Sequence, residues 1–323
     1  MFTAFRRENS PPAPARSAAG RIACVACALL AVLAMRAPGA EIVRSGIRVT
    51  FSKGHERYAE EVHEIVRALA EELRTSLGLS LPAGITVSLV GQAEFDGELG
   101  PERAELFTAF ARPGERSATI HMGKATSGGA FNFRRVLRHE IVHLAIGELE
   151  RQGGTSVPRW LDEGLAMLYG DMPFEMDRGE LATASYAGGL IPFGRLTDDF
   201  PQEGKTEVNL AYLESESAAR FLRDMKGELA LRRLLRSLGS GDSFGTALAA
   251  VYGLSTDEFD ARWRASLSSG SRVLDWIRAY PGRASLFAYM ALFVLVAWVV
   301  QRIRRARRSE ELDRERPWRM GPE

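Results

Sequence analysis

The chain has 323 residues, 46% of them hydrophobic, and a formal net charge of +1 from 42 basic and 41 acidic side chains. That balance, without a basic patch of interleaved aromatics in the central part, argues against a nucleic-acid partner. Both cysteines, Cys24 and Cys27, sit in an N-terminal segment expected to be removed, so the processed protein has no thiolate metal ligand, disulfide or cysteine nucleophile.

In chain order, residues 1–21 carry Arg6, Arg7, Arg16 and Arg21, and residues 22–34 form an apolar run. The small-residue segment Ala37-Pro38-Gly39-Ala40 follows. This order reads as a secretory signal peptide over residues 1–40, cleaved near Gly39 or Ala40, with an uncleaved anchor as the alternative. A lipobox at Cys27 fails because Cys24, not leucine, stands three positions before it. Residues 41–283 then make one domain-sized exported portion, long enough to bury a substantial core.

Within it, the patterns predict α+β organisation. Residues 42–51 read as a strand and 56–77 as a long helix ended by Gly78, with Pro82 and Gly84 beyond as breakers. Residues 85–90, 105–111 and 117–122 read as three further strands, and 123–129 as a Gly-Ser loop. Residues 131–149 read as a helix, with Phe133, Val136, Leu137, Ile141, Leu144 and Ile146 at helical spacings. From 210 onward the chain reads as helices over 210–226, 228–238, 243–252 and 256–267. Phe221, Leu222, Leu229, Leu231, Leu234, Leu235, Phe244, Leu248, Leu254, Phe259 and Trp263 are the expected core of this lower lobe. Gly239-Ser240-Gly241 reads as a helix–helix turn, since no strand precedes it for a phosphate loop.

The C-terminal end is expected to cross a membrane. Residues 268–271 look like a linker and 271–283 like a juxtamembrane segment. Residues 284–301 form an apolar span close to the minimum length, with Tyr280 and Trp298 near its ends. Arg302, Arg304, Arg305, Arg307 and Arg308 follow at once, marking residues 302–323 as a basic cytoplasmic tail. The two ends agree on topology, with the middle of the chain exported.

His139-Glu140-Ile141-Val142-His143 carries the chemistry. Histidines at i and i+4 project from one helix face and can grip one metal ion, with Glu140 between them in reach of a water on that ion. A third ligand is expected in the run 157–169, where Pro158 opens a short helix and Glu163 falls in its first turn. Two histidines and one carboxylate leave the fourth tetrahedral position of zinc to water, the arrangement of a catalytic rather than a structural site. Asp162 is the fallback ligand.

These residues resemble the gluzincin metallopeptidases, and more closely the bacterial family of peptidase MA-like domains. The likeness rests on residues 136–143 and 158–166, with 189–193 plus Leu196 and 211–217 in support, and spans roughly 100 to 268. It implies a zincin-like fold, with a small mixed sheet, the helix of the two histidines and a helical C-terminal lobe. It also implies one Zn2+ per chain held by His139, His143 and Glu163, and a zinc-dependent peptidase acting on peptide or protein substrates. Glu140 would be the general base for a water whose pKa zinc lowers towards about 7. By the same likeness a tyrosine or histidine from a later helix shares the charge developing on the scissile carbonyl, and Tyr212 is the candidate. In zincins the last strand before the metal helix is the sheet edge lining the cleft, which points here to residues 118–121. Many gluzincins place an acid four positions after the glutamate ligand. Met167 stands there instead, so the acceptor that orients each histidine is open. His121 is a weaker site candidate, and His55 and His63 read as surface positions. The expected location is the bacterial inner membrane, with the catalytic domain outside the cytoplasm. The alternatives are an inactive gluzincin-like binding or scaffold module at the envelope, and an anchored structural protein in which the motif is accidental.

Overall fold

The stretch 42–51, expected as one strand, folds as two. In the computed structural model β1 (Ala40–Arg44) and β2 (Ile47–Phe51) pair antiparallel across Ser45-Gly46. Both turn residues have positive φ, 50° and 77°, the backbone that a two-residue hairpin needs to match the twist of its strands. Ser45-Gly46 is a turn dipeptide, and glycine takes such a conformation freely, but the apolar alternation on either side of it continues across the pair and reads as one strand. The structure describes residues 40–127, 129–171, 178–201 and 204–268, with Val294 and Trp298. The signal peptide, juxtamembrane segment, transmembrane span and basic tail therefore lie outside the described residues, apart from Ala40, Val294 and Trp298. Among the described residues no helix is long and apolar enough to cross a membrane.

The sheet runs β1-β2-β3-β5-β4, with β3 (Ile85–Val90) and β5 (Ser117–His121) parallel to β2 and β4 (Ala109–Arg112) antiparallel on β5. This corrects the expectation that 118–121 is the edge. β5 is interior, paired on both sides, and β4 is the edge. The expected strand 105–111 shrinks to β4 because Pro101 opens a helix that takes up the residues to Leu106. A turn at Pro113–Glu115 then folds β5 back inside β4.

One face of the sheet is covered by α1 (Glu56–Ser76), whose buried Ala59, Val62, Val66, Leu69 and Leu73 fall on one helical stripe. Beyond β3 come α2 (Gln92–Leu99) and α3 (Pro101–Leu106), two short helices without amphipathic signal in the sequence; Phe95 and Ala104 bury a small satellite core with Val90. The Gly-Ser loop contains one helical turn, α4 (Met122–Ala125). His121 caps it, its Nδ1 accepting from the Lys124 N–H at 3.0 Å and its Nε2 meeting Gln92 Oε1 at 2.8 Å, so both ring nitrogens are engaged in holding the fold.

α5 (Ala130–Gly153) carries the two-histidine motif and runs through the middle of the core. Leu137, Ile141, Val142, Leu144 and Ala145 are fully buried, and Arg138, His139, Glu140 and His143 are buried with them, so the middle of the helix is enclosed on most sides. The lower lobe follows: α6 (Arg159–Tyr169), α7 (Arg178–Ala187), α8 (Phe193–Asp198), α9 (Lys205–Lys226), α10 (Glu228–Gly239), α11 (Phe244–Tyr252) and α12 (Thr256–Ser268). Trp160 of α6 stacks on Phe259 of α12 with centroids 5.4 Å apart, tying the two together. The expected core residues are buried or half-buried except Leu229, 70% exposed. Leu231, Leu234, Leu235 and Leu238 form the inward stripe of α10, and a residue two positions before Leu231 points the other way.

Glu214, fully buried on α9, accepts the Ile191 backbone N–H at 2.8 Å, and Arg264 donates to the Ile191 carbonyl at 2.8 Å. The segment before α8 is thereby pinned beneath the lobe. Burial raises the Glu214 carboxyl from 4.5 to about 7; the Ile191 N–H and Arg264 oppose the rise without matching it, and Asp260 adds to it. The folded chain keeps a proton that the unfolded chain gives up, so stability is full below pH 4.5. It falls by roughly 3 kcal/mol as pH climbs through about 7. Thermal melts should show Glu214→Gln gaining on the wild type across that pH interval; parallel melting profiles would contradict the protonated buried carboxyl.

Candidate metal centre

His139 and His143 stand one turn apart on α5, and α6 presents Glu163 to them from the side. Three donor atoms converge. His139 Nε2 and His143 Nε2 are 3.2 Å apart, and Glu163 Oε2 lies 3.3 Å from the second and 3.6 Å from the first. A tetrahedral ion with bonds of about 2.0–2.2 Å requires donors about 3.3–3.6 Å from one another, so this triangle is one face of such a site. All three residues are buried, and Glu163 Oε2 makes no hydrogen bond among the described residues. A buried carboxylate oxygen without a donor is expensive unless a cation meets it. The donor set of two neutral nitrogens and one carboxylate, without sulfur, fits a borderline divalent ion such as zinc.

The approach of α6 depends on a missing side chain. A Cβ on Gly164 would lie 2.3 Å from the Ser215 carbonyl oxygen and 2.6 Å from the Ala219 Cβ, so the α6 backbone rests directly on α9 beside the ligand. At the other end of α6, a Cβ on Gly170 would come within 3.1 Å of the Cα and Cβ of His139. Arg138 locks the arrangement: its Nη2 donates to Glu72 Oε2 of α1 at 2.8 Å and to the Tyr169 carbonyl at 2.7 Å.

Asp162, the fallback ligand, stands outside the donor triangle. Its Oδ1 is 2.6 Å from His143 Nδ1, where it accepts the ring N–H and leaves Nε2 with its lone pair towards the donors. The acceptor absent at Met167 is thus supplied from the position just before the ligand. The sequence offered this acid, but one turn too early for the expected spacing. His139 Nδ1 is buried without a hydrogen-bond partner among the described residues. Arg159, which sequence reasoning passed over, donates to Asp162 Oδ2 at 3.0 Å and to Glu163 Oε1 at 2.5 Å.

The charges are mutually held. Burial pushes the Glu163 carboxyl up, but His143 and Arg159 outweigh it and keep the group well below the usual carboxylate range. Burial pulls the His143 imidazole down, while Asp162 and Glu163 more than reverse this and favour a positive charge there, which an ion can supply in place of a proton. Glu140, one position from His139, has its carboxyl raised by burial; the histidines oppose the rise and Glu163 reinforces it. Tyr212 of α9 stands over the same site, its ring 6.3 Å from that of His139, and burial with the nearby acids holds its phenol well above the ordinary value.

His139, Glu140, Glu163 and Tyr212 line a cleft of about 360 Å³ together with residues of β4, Pro113, Phe107 and Phe200. A larger hollow of about 770 Å³, between α1 and the β1–β2 turn, contains none of these residues.

A mixed sheet, a buried helix with two histidines one turn apart, and a carboxylate delivered by the next helix describe a zincin-like domain. Residues 115–269 match the model of the peptidase MA superfamily, which supports a gluzincin-like peptidase MA domain in that part of the chain. No curated protein matches the chain. The strands β1 to β4 and the helices α1 to α3 precede the matched residues, yet β2, β3 and α1 share the same continuous core.

Two substitutions test how the centre is held. Asp162→Asn should leave the fold intact and weaken metal binding by roughly 10–100-fold, read by competition against a chelator; unchanged affinity would mean that the carboxylate does not orient His143. Gly164→Ala should destabilise the protein by about 1–3 kcal/mol and lower its retained metal, since α6 must back away from α9. Wild-type melting temperature and metal content together would disprove that close approach.

Proposed function

We propose that the protein is an exported, membrane-anchored zinc metallopeptidase that hydrolyses peptide bonds in peptide or protein substrates. The observation that carries this reading is the donor triangle of His139, His143 and Glu163 opening onto a cleft that Glu140 and Tyr212 also line. Export and anchoring rest on the sequence features of residues 1–40 and 284–308, which place the cleft outside the cytoplasmic membrane.

His139, His143 and Glu163 would hold a divalent ion, which when bound would supply Lewis acidity to a carbonyl and to a water. The chain's own residues do the rest. Glu140, a carboxylate whose proton affinity is raised by burial, takes the proton from the water as its oxygen attacks the carbonyl carbon. It then passes that proton to the leaving nitrogen as the C–N bond breaks. Tyr212 remains a protonated phenol at neutral pH and donates its O–H to the carbonyl oxygen as charge builds there. The outer edge of β4 borders the cleft, so an extended peptide can add as a strand and lay its backbone across these groups. Asp162 and Arg159 hold the imidazole and the carboxylate in register throughout.

Glu140→Gln should keep one bound zinc and lose hydrolysis by about 10²–10⁴-fold, whereas His139→Ala should lose metal and activity together. Metal analysis of the purified protein and a comparison of new N-termini in wild-type and Glu140→Gln cells check both; equal cleavage by the two would remove the peptidase assignment.

A further inference from the structure

The two oxygens of Glu163 have different partners. Oε2 faces the histidine nitrogens with no hydrogen bond, and Oε1 is gripped by Arg159 Nη2 at 2.5 Å. The second arm of the same guanidinium, Nη1, donates to Asp162 Oδ2 at 3.0 Å, while Asp162 Oδ1 meets His143 Nδ1 at 2.6 Å. Arg159 is the first residue of α6 and therefore reaches the side chains three and four positions on, where Asp162 and Glu163 stand. A planar, five-donor fork can hold Glu163 Oε1 and Asp162 Oδ2 at once, whereas an ammonium in its place could still hold Oε1 alone.

A free carboxylate beside a divalent ion can bind through one oxygen or both. Two-oxygen binding by Glu163 would fill the position that a catalytic site must leave to solvent. From this geometry we infer that Arg159 is a positioning residue that confines Glu163 to a single donor oxygen and thereby keeps the fourth coordination position open. The inference rests on the metal-centre reading above and adds to it the reason the site stays reactive. The charges agree: the ion, Arg159, Glu140, Asp162 and Glu163 sum to zero, so the half-exposed guanidinium completes a neutral cluster at the rim of a buried centre. Removing it leaves Oε1 without its donor and with the ion as the nearest positive charge.

The test uses the full-length protein loaded with Co2+, whose visible absorption is stronger in four-coordinate than in five-coordinate sites, coordination geometry being legible in the metal's spectrum. Wild type should show the intense four-coordinate band. Arg159→Met should retain one ion per chain while the band weakens by about twofold or more, as Glu163 closes on the metal with both oxygens. Arg159→Lys, which restores one N–H donor for Oε1, should recover the wild-type band. A methionine variant with undiminished absorption overturns the inference, and so does a lysine variant as weak as the methionine one, which would mark Arg159 as a structural helix-start residue only. Should the methionine variant fail to fold, zinc X-ray absorption on the wild type decides alone: four light-atom neighbours support the single-oxygen mode and five refute it. A wild-type protein that takes up neither Co2+ nor Zn2+ sinks the metal-centre reading itself, a separate result from failure of the Arg159 role.

Discussion

The close crossing of α6 over α9 at Gly164 is the constraint on which the rest depends. Residue 163 reaches the two imidazoles only because residue 164 has no side chain to hold the helices apart. The packing distance of two helices thus sets the position of a ligand atom to within tenths of an ångström. Interiors pack densely enough that such a contact does not relax freely. On the far side, α5 is buried on most of its surface and tied through Arg138 to α1 and to the end of α6. The histidines are therefore carried on the least mobile kind of element, a helix inside the core.

Burying Glu140, Asp162, Glu163 and two imidazoles together would be ruinous without compensation. The protein distributes that burden. Arg159 holds two of the acids, Asp162 holds one histidine by its rear nitrogen, and the remaining oxygen and nitrogens point at one another across little more than 3 Å. What is left over is a concentration of electron density shaped for a cation. The same burial that gathers the three donors also raises the proton affinity of Glu140 beside them.

The cleft shows how topology redirects an expectation. The strand nearest the metal helix in sequence, β5, is interior, and β4 lies outside it because the chain doubles back at Pro113. The exposed hydrogen-bonding edge belongs to a four-residue strand whose alternation is too short to read. The wall of the cleft is consequently built by residues 107–113, a stretch in which no catalytic residue type stands out.

Read from the amino acids alone, the helix of His139 and His143, the strands 85–90 and 117–121 and most of the lobe helices were legible, because each repeats its apolar residues at the period of its own backbone. The pair of histidines at i and i+4 declared a metal-binding face by local geometry, and Glu163 followed from charge and position in a helix start. Tertiary structure decided what local periodicity cannot contain: the hairpin at Ser45-Gly46, the order of β5 and β4, and the outward turn of Leu229. It also assigned Asp162 to the rear of His143 and Arg159 to the second oxygen of Glu163. The first role joins α5 to α6 across 19 positions, a separation that carries no repeating pattern for a sequence to reveal. The second is an i,i+4 contact within α6, but only the packing of that helix against the histidines decides which oxygen of Glu163 the guanidinium holds.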